Sequence, residues 1–211
     1  MSTNLIIPTG KRLLVPAVLF TEDFESPVIS GYVEGQLPDN GNWLGADTGF
    51  GAGRFGMINK DGGDWVTAQV GNEQALGMLY TNSGACTADG VIGDINVNTV
   101  KYQLTVDIGY NRHISAFGYG EAGGIYEVHL CALPALFDRQ DFAAGASAFN
   151  PYVIITLSGT VTDTGELQTF VGTYETDPVT DAALVGNDLA VVIDGATGYG
   201  VVDNVKLERI G

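Results

Sequence analysis

The sequence predicts an all-β protein: an antiparallel β-sandwich of jelly-roll type with an extended N-terminal arm. Three observations carry that expectation. Short runs in which apolar and polar residues alternate with period two recur along the chain, clusters of Gly, Asn and Asp separate them, and no long segment shows the 3.6-residue periodicity of an amphipathic helix. Composition agrees, since 30 glycines and 16% charged residues in a 211-residue chain disfavour both a helical bundle and a disordered segment. A chain of this length can form one large β domain that buries roughly 70% of its unfolded surface.

The first element is the apolar run Leu13 to Phe20 (LLVPAVLF). It is too short, and too interrupted by Pro16, to span a membrane. It also lacks the order of a signal peptide: the basic pair Lys11 and Arg12 follows an earlier apolar segment, Leu5 to Ile7, and no small-residue cleavage site precedes the acidic TEDFE. Proline in mid-run suits an edge strand or an arm lying on another surface. Residues 1–20 therefore read as an arm whose Leu13, Leu14, Val15, Val18, Leu19 and Phe20 dock on a neighbouring subunit or on the chain's own domain. Residues 21–211 read as a single jelly-roll domain, with no internal repeat and no Pro- or Ser-rich linker.

Turn clusters come next, PDNGN at 38–42 and KDGGD at 60–64. The clearest strand is 100–110, where Tyr102, Leu104, Val106 and Ile108 alternate with Lys101, Gln103, Thr105 and Asp107, giving one core face and one wet face. Further strands are expected at 125–133, 152–161, 167–174 and 188–193. The terminal run GVVDNVKLERI, 200–210, places Val201, Asp203, Val205 and Leu207 on one side by simple alternation. An acid among three aliphatics needs hydrogen-bond donors, a cation or a metal. Two readings of Asp203 stay open: a calcium ligand, or a carboxylate at the sheet rim bonded to loop N–H groups.

Chemistry-bearing motifs are sparse. Cys86 and Cys131 show no CxxC spacing, and a single disulfide and two reduced thiols both fit. GAGRFG at 51–56 and GYGEAG at 118–123 match GxGxxG, but neither opens a helix, and β-turns supply such glycines as readily. His113 and His129 are the only histidines; Glu127 and His129 share a strand face, yet no GxSxG or HExxH accompanies them, and surface or rim positions are expected. The acids Asp163, Glu166, Glu175, Asp177 and Asp181 fall in turn-rich segments. The expectation is a protein that is not an enzyme.

The order of FESP at 24–27, a Trp-containing loop, VKYQLTVDIGYN at 100–111 and VVDNVKL at 201–207 resembles the galactose-binding-like jelly-roll superfamily, which includes carbohydrate-binding modules and domains of bacterial surface proteins. The resemblance implies a structural calcium held by Glu25 and Asp203 with backbone carbonyls, on adjacent first and last strands. It also implies sugar binding through an exposed aromatic and neighbouring amides or acids. Trp43, Trp65 and Tyr80 are the stacking candidates, with Asn40, Asn42 and Asp64 beside the tryptophans; aromatics near turns alternatively cap the core.

With 25 acidic and nine basic residues, the net charge of −16 argues against nucleic acid as a partner. The arm, the missing export signal and the acidic surface lead to a first expectation: a virus-particle component on the virion surface, a phage capsid decoration or cement protein. Such a protein would assemble as a homo-oligomer such as a trimer, its arm adding apolar area or a strand to a neighbour. The alternative is a carbohydrate-binding protein, extracellular or on the cell surface, with glycans as partners.

Overall fold

The computed structural model describes residues 16–29, 32–34, 36–47, 55–59, 74–78, 83–110, 125–142, 148–160, 167–194 and 200–211. Their strands are β1 (Ala17–Glu22), β2 (Tyr32–Glu34), β3 (Trp43–Asp47), β4 (Phe55–Asn59), β5 (Gln74–Met78), β6 (Ser83–Thr87), β7 (Lys101–Tyr110), β8 (Ile125–Leu133), β9 (Val153–Thr160), β10 (Gln168–Glu175), β11 (Asp188–Asp194) and β12 (Gly200–Arg209). They form two antiparallel sheets. The larger runs β10-β7-β12-β5-β4-β2, with β1 also paired to β12, and the smaller runs β9-β8-β11-β6-β3. No α-helix occurs among the described residues, and none is long and apolar enough to cross a membrane. The architecture is the expected jelly-roll sandwich.

Alternation builds the space between the sheets. Tyr102, Leu104, Val106 and Ile108 of β7 face Val128, Leu130, Leu189, Val191 and Ile193 of the smaller sheet in one core cluster. The β10 edge alternates strictly between half-buried and exposed positions, as expected of a strand with one wet face. By contrast, all seven residues of β11 are buried, because a second apolar layer covers the outward face of the smaller sheet. Cys86, Cys131, Leu133, Ala190 and Val192 pack there against Phe142 and Phe149. Gly84 makes the close approach possible, since a Cβ at this position would run into the Phe142 ring. Arg139 ties the covering segment down, donating to Thr87 O at 2.9 Å and to Asp188 Oδ2 at 2.8 Å.

Two features depart from the sequence expectation. The domain begins inside the expected arm: β1 pairs with β12 from Ala17↔Arg209 to Glu22↔Val205, Phe20 is 5% exposed in the core, and Leu19 packs against it. Leu13, Leu14 and Val15 lie outside the described residues. The second departure is in β12, which carries a bulge. Asp203 pairs with Asp107 and Lys206 with Thr105, so two residues of β12 stand opposite one of β7, and Asn204 takes φ 49°. The extra residue reverses the alternation. By register Val201 and Asp203 therefore share the face of Gly109 and Asp107, opposite Val202 and Leu207, and Val201 is itself buried in the core cluster with Val202, Val205 and Leu207.

Candidate functional site

The end of β1 carries an acid on the core side. Glu22 is 7% exposed, and three N–H groups converge on it: Phe24 N donates to Oε1 at 3.2 Å, while Asn40 Nδ2 and Trp43 Nε1 donate to Oε2 at 2.8 and 3.0 Å. Trp43 is 5% exposed and packs on Phe20 and Phe24, with ring centroids 5.7 and 5.6 Å away. It is a core residue. A buried indole needs an acceptor for its N–H, and Glu22 supplies it, so Trp43 offers no face for a sugar to stack on. Asn40 is exposed, and Asn42 is half-buried beside it, its N–H bonded to Asn40 Oδ1 at 2.9 Å. Asp64, Trp65 and Tyr80 lie outside the described residues.

The bulge in β12 assembles a polar centre on the outward face of the larger sheet. Asp107 and Asp203 stand directly opposite each other, 6% and 0% exposed. Like charges so placed repel, and Asn204 stands between them. Its Nδ2 donates to Asp107 Oδ2 at 2.9 Å and reaches Asp203 Oδ2 at 3.4 Å, while its backbone N–H donates to Asp203 Oδ1 at 2.7 Å. Thr169 completes the group from β10, its hydroxyl 2.5 Å from Asp107 Oδ1. Asparagine tolerates the left-handed region that the bulge requires, which explains its place there. Beside the pair, register aligns Gly109, Val201, Gly77 and Gly56 in one row across four strands. All four are buried, whereas Thr169, Val171 and Thr173 at the β10 edge of the same face are exposed.

Next to this centre opens a cavity of about 400 Å³ lined by Thr21, Glu22, Asp23, Ser26, Asn40, Asn204, Val205 and Lys206. Asn204 belongs to both. Apart from Val205, every lining side chain carries a hydroxyl, amide, carboxylate or ammonium group, a donor and acceptor set that matches ligand hydroxyls. Of the residues expected from sequence, Asn40 lines this cavity.

Glu25 and Asp203, the pair that the resemblance implies as calcium ligands, each accept a backbone N–H. Glu25 Oε1 accepts from Gln74 N at 3.1 Å, while Asp203 is bonded to Asn204 on the outward face. Among the described residues, the one group of three potential metal ligands with donor atoms mutually within 4.8 Å is Glu127, His129 and Asp194, on the smaller sheet. There the structure corrects another expectation, since His129 is 3% exposed rather than at the surface or rim. Burial holds its pKa below the usual histidine value, with Glu127 opposing that shift. Cys86 and Cys131 are free thiols, both buried.

Sequence reasoning missed Glu22, Asn204, Asp194 and the role of Asp107. Asp107 was visible as a polar alternation position and read as merely wet. Asn204 had one legible signal, the Asp-Asn pair inside an otherwise β-branched run, where Asn suits a left-handed bulge residue.

No family model and no curated protein matches the chain. Solved structures do. Fisc, a Stig cyclase from Fischerella sp. TAU in complex with a pyrrolidinylidene-indole, superposes with a TM-score of 0.63 at 16% identity, covering 93% of this chain and 98% of that one. A cyclase from Fischerella sp. TAU in complex with an indolyl butanone gives 0.59 at 17% identity, covering 88% and 92%. The CBM22-1 xylan-binding domain from Paenibacillus barcinonensis gives 0.51 at 12% identity, covering 92% and 95%. The fold is therefore a jelly roll of the kind shared by these cyclases and the xylan-binding domain, as the resemblance implied, and at these identities the likeness is one of fold. The two cyclases also overturn the expectation that this is not an enzyme. That expectation rested on missing catalytic motifs, and enzymes share this fold across nearly the whole chain.

Proposed function

We propose that this protein binds carbohydrate, in the cavity between the end of β1 and the bulge of β12. One observation carries the reading: seven of the eight residues lining the roughly 400 Å³ cavity present hydrogen-bonding side chains. Ligand pockets are lined mainly by aliphatic and aromatic residues with a few polar ones; here nearly every lining residue brings a hydrogen-bonding group alongside its aliphatic carbons, as a polyhydroxylated ligand with apolar ring faces requires. The carbohydrate-binding fold supports the same reading. In it, Asn40 and Ser26 meet hydroxyls from the β1 side, Lys206 donates from β12, and Asn204 links the cavity to the Asp107–Asp203 pair. The particle-component expectation loses its main support, because Val18, Leu19 and Phe20 are part of β1 rather than a free arm.

The test is a glycan array followed by calorimetric titration, using the full chain and two variants. Lys206→Ala removes a half-exposed donor, and Asn204→Gly keeps the left-handed backbone at no steric cost while deleting the amide. Both should weaken binding at least about tenfold, the size of a lost charge-assisted or buried hydrogen bond. Specific glycan binding that both variants leave unchanged would place the ligand elsewhere.

A second reading rests on the buried pair of carboxylates. Asp107 and Asp203, facing each other across Asn204, offer a proton donor and acceptor beside the same cavity, the equipment of acid–base catalysis. Turnover of a bound ligand that Asp203→Asn abolishes without loss of binding would favour this reading.

A further inference from the structure

We propose that Glu127, His129 and Asp194 form a binding site for a divalent transition-metal ion of the zinc class on the outward face of the smaller sheet. The site is separate from the carbohydrate cavity and does not rest on it.

Strand register brings the three together. On β8, Glu127 and His129 are two residues apart and share a face; on the adjacent β11, Asp194 pairs with Glu127 and Val192 with His129. This is the outward face, because Val128, Leu130, Val191 and Ile193 between them belong to the core. One ligand atom from each residue lies within 4.8 Å of the other two.

The imidazole is the decisive group. His129 is 3% exposed, and its Nδ1 lies 3.2 Å from Thr156 Oγ1 on β9. When Nδ1–H donates to that hydroxyl, Nε2 presents its lone pair, and the hydrogen bond orients the ring as partners behind a metal ligand do. Nε2 has no hydrogen-bond partner and sits 3.6 Å from Glu127 Oε2. A buried imidazole lone pair that faces a carboxylate oxygen is unfavourable unless a proton or a metal cation lies between them. Zinc bonds imidazole nitrogen and carboxylate oxygen at roughly 2.0–2.2 Å, so tetrahedral neighbours on one ion stand about 3.3 Å apart. The observed separation is close to that value.

The donor set also selects the ion. One nitrogen and two carboxylates suit zinc, cobalt and related ions, whereas calcium takes six to eight oxygens. Three protein ligands leave at least one coordination position open. The Glu127 side chain is 37% exposed and gives the ion a way in. The Cys131 and Val192 end of the same face merges with the second apolar cluster, so a bound ion would lock β8 to β11 at the margin of that layer.

The experiment uses the metal-free full chain titrated with Co²⁺, then with Zn²⁺ in competition. One equivalent of Co²⁺ should bind with visible ligand-field bands, Zn²⁺ should displace it, and thermal stability should rise with either ion. Glu127→Gln and His129→Gln should each lose at least about tenfold in affinity and the spectral bands, while His113→Gln, altering the only other histidine, should keep both. Glu127→Gln changes a partly exposed side chain, so it keeps the test valid where His129→Gln does not fold. The proposal is overturned by absence of Co²⁺ bands in the folded chain, by unchanged binding in Glu127→Gln and His129→Gln, or by Ca²⁺ competing as well as Zn²⁺.

Discussion

Glu22 stays at the wall of the core because Phe24 N, Asn40 Nδ2 and Trp43 Nε1 all point at it; a carboxylate without such donors would be expelled to water. The same logic explains why Trp43 reads ambiguously in sequence. Next to a turn, an indole can stack on a ligand or cap the core, and the partner of its N–H decides which. That partner is 21 residues away, beyond the reach of local pattern. The thiols are another matter that only packing settles. Cys86 and Cys131 belong to the second apolar cluster without being bonded to each other. Burial pushes the Cys86 thiol up to about 12, against a smaller opposing pull from Arg139, and burial raises Cys131 as well. A raised pKa keeps the thiol protonated, and the thiolate is the nucleophile. At pH 8 both cysteines should resist iodoacetamide in the folded protein and react fully in denaturant, as read by intact mass. Rapid alkylation of the native chain would contradict the packing.

Individual strands show how far periodicity carries. The core face of β7 was legible because its alternation is unbroken: Tyr102, Leu104, Val106 and Ile108 are in the core, as expected, whereas Asp107 on the face expected to be wet is buried. β12 was legible as a strand, but one inserted residue at Asn204 moved Asp203 to the face opposite Val205 and Leu207. Alternation has no way to signal a bulge, and an error of one residue inverts every face beyond it. The polar centre was hidden for that reason. At the other end, the close of the apolar run at Phe20 drew the arm boundary there, whereas strand pairing starts at Ala17, immediately after Pro16, a placement that proline permits. A truncation series separates the two boundaries. A chain beginning at Ala17 should fold and unfold cooperatively near the full-length midpoint. One beginning at Thr21 loses Phe20, the Leu19 packing and the first pairs with β12. Removing one large buried side chain alone costs about 3–5 kcal/mol, so its midpoint should fall by many degrees. Equal melting of the two would mean that the start of β1 contributes nothing to the sandwich.

At the level of the whole molecule, charge narrows the class of ligand. The net charge of −16 gives the surface a negative potential that repels anions and is screened over about 8 Å at physiological salt. The cavity shares that sign, since Glu22 and Asp23 outnumber Lys206 along its wall, and Asp107 and Asp203 stand close behind Asn204. A neutral oligosaccharide does not feel this field, because hydroxyl hydrogen bonds carry no net charge. A sulfated or uronic-acid polysaccharide does, and would have to bring its anions against at least two carboxylates. Affinity for a neutral glycan should therefore change less than about twofold between low and high salt, while binding of an anionic polysaccharide should be weak at low ionic strength and improve as salt is added. Titration of one ligand of each kind across a salt series measures both slopes. Tight binding of a sulfated glycan at low salt, weakening as salt rises, would require a basic surface outside this cavity and would move the ligand site away from the bulge of β12.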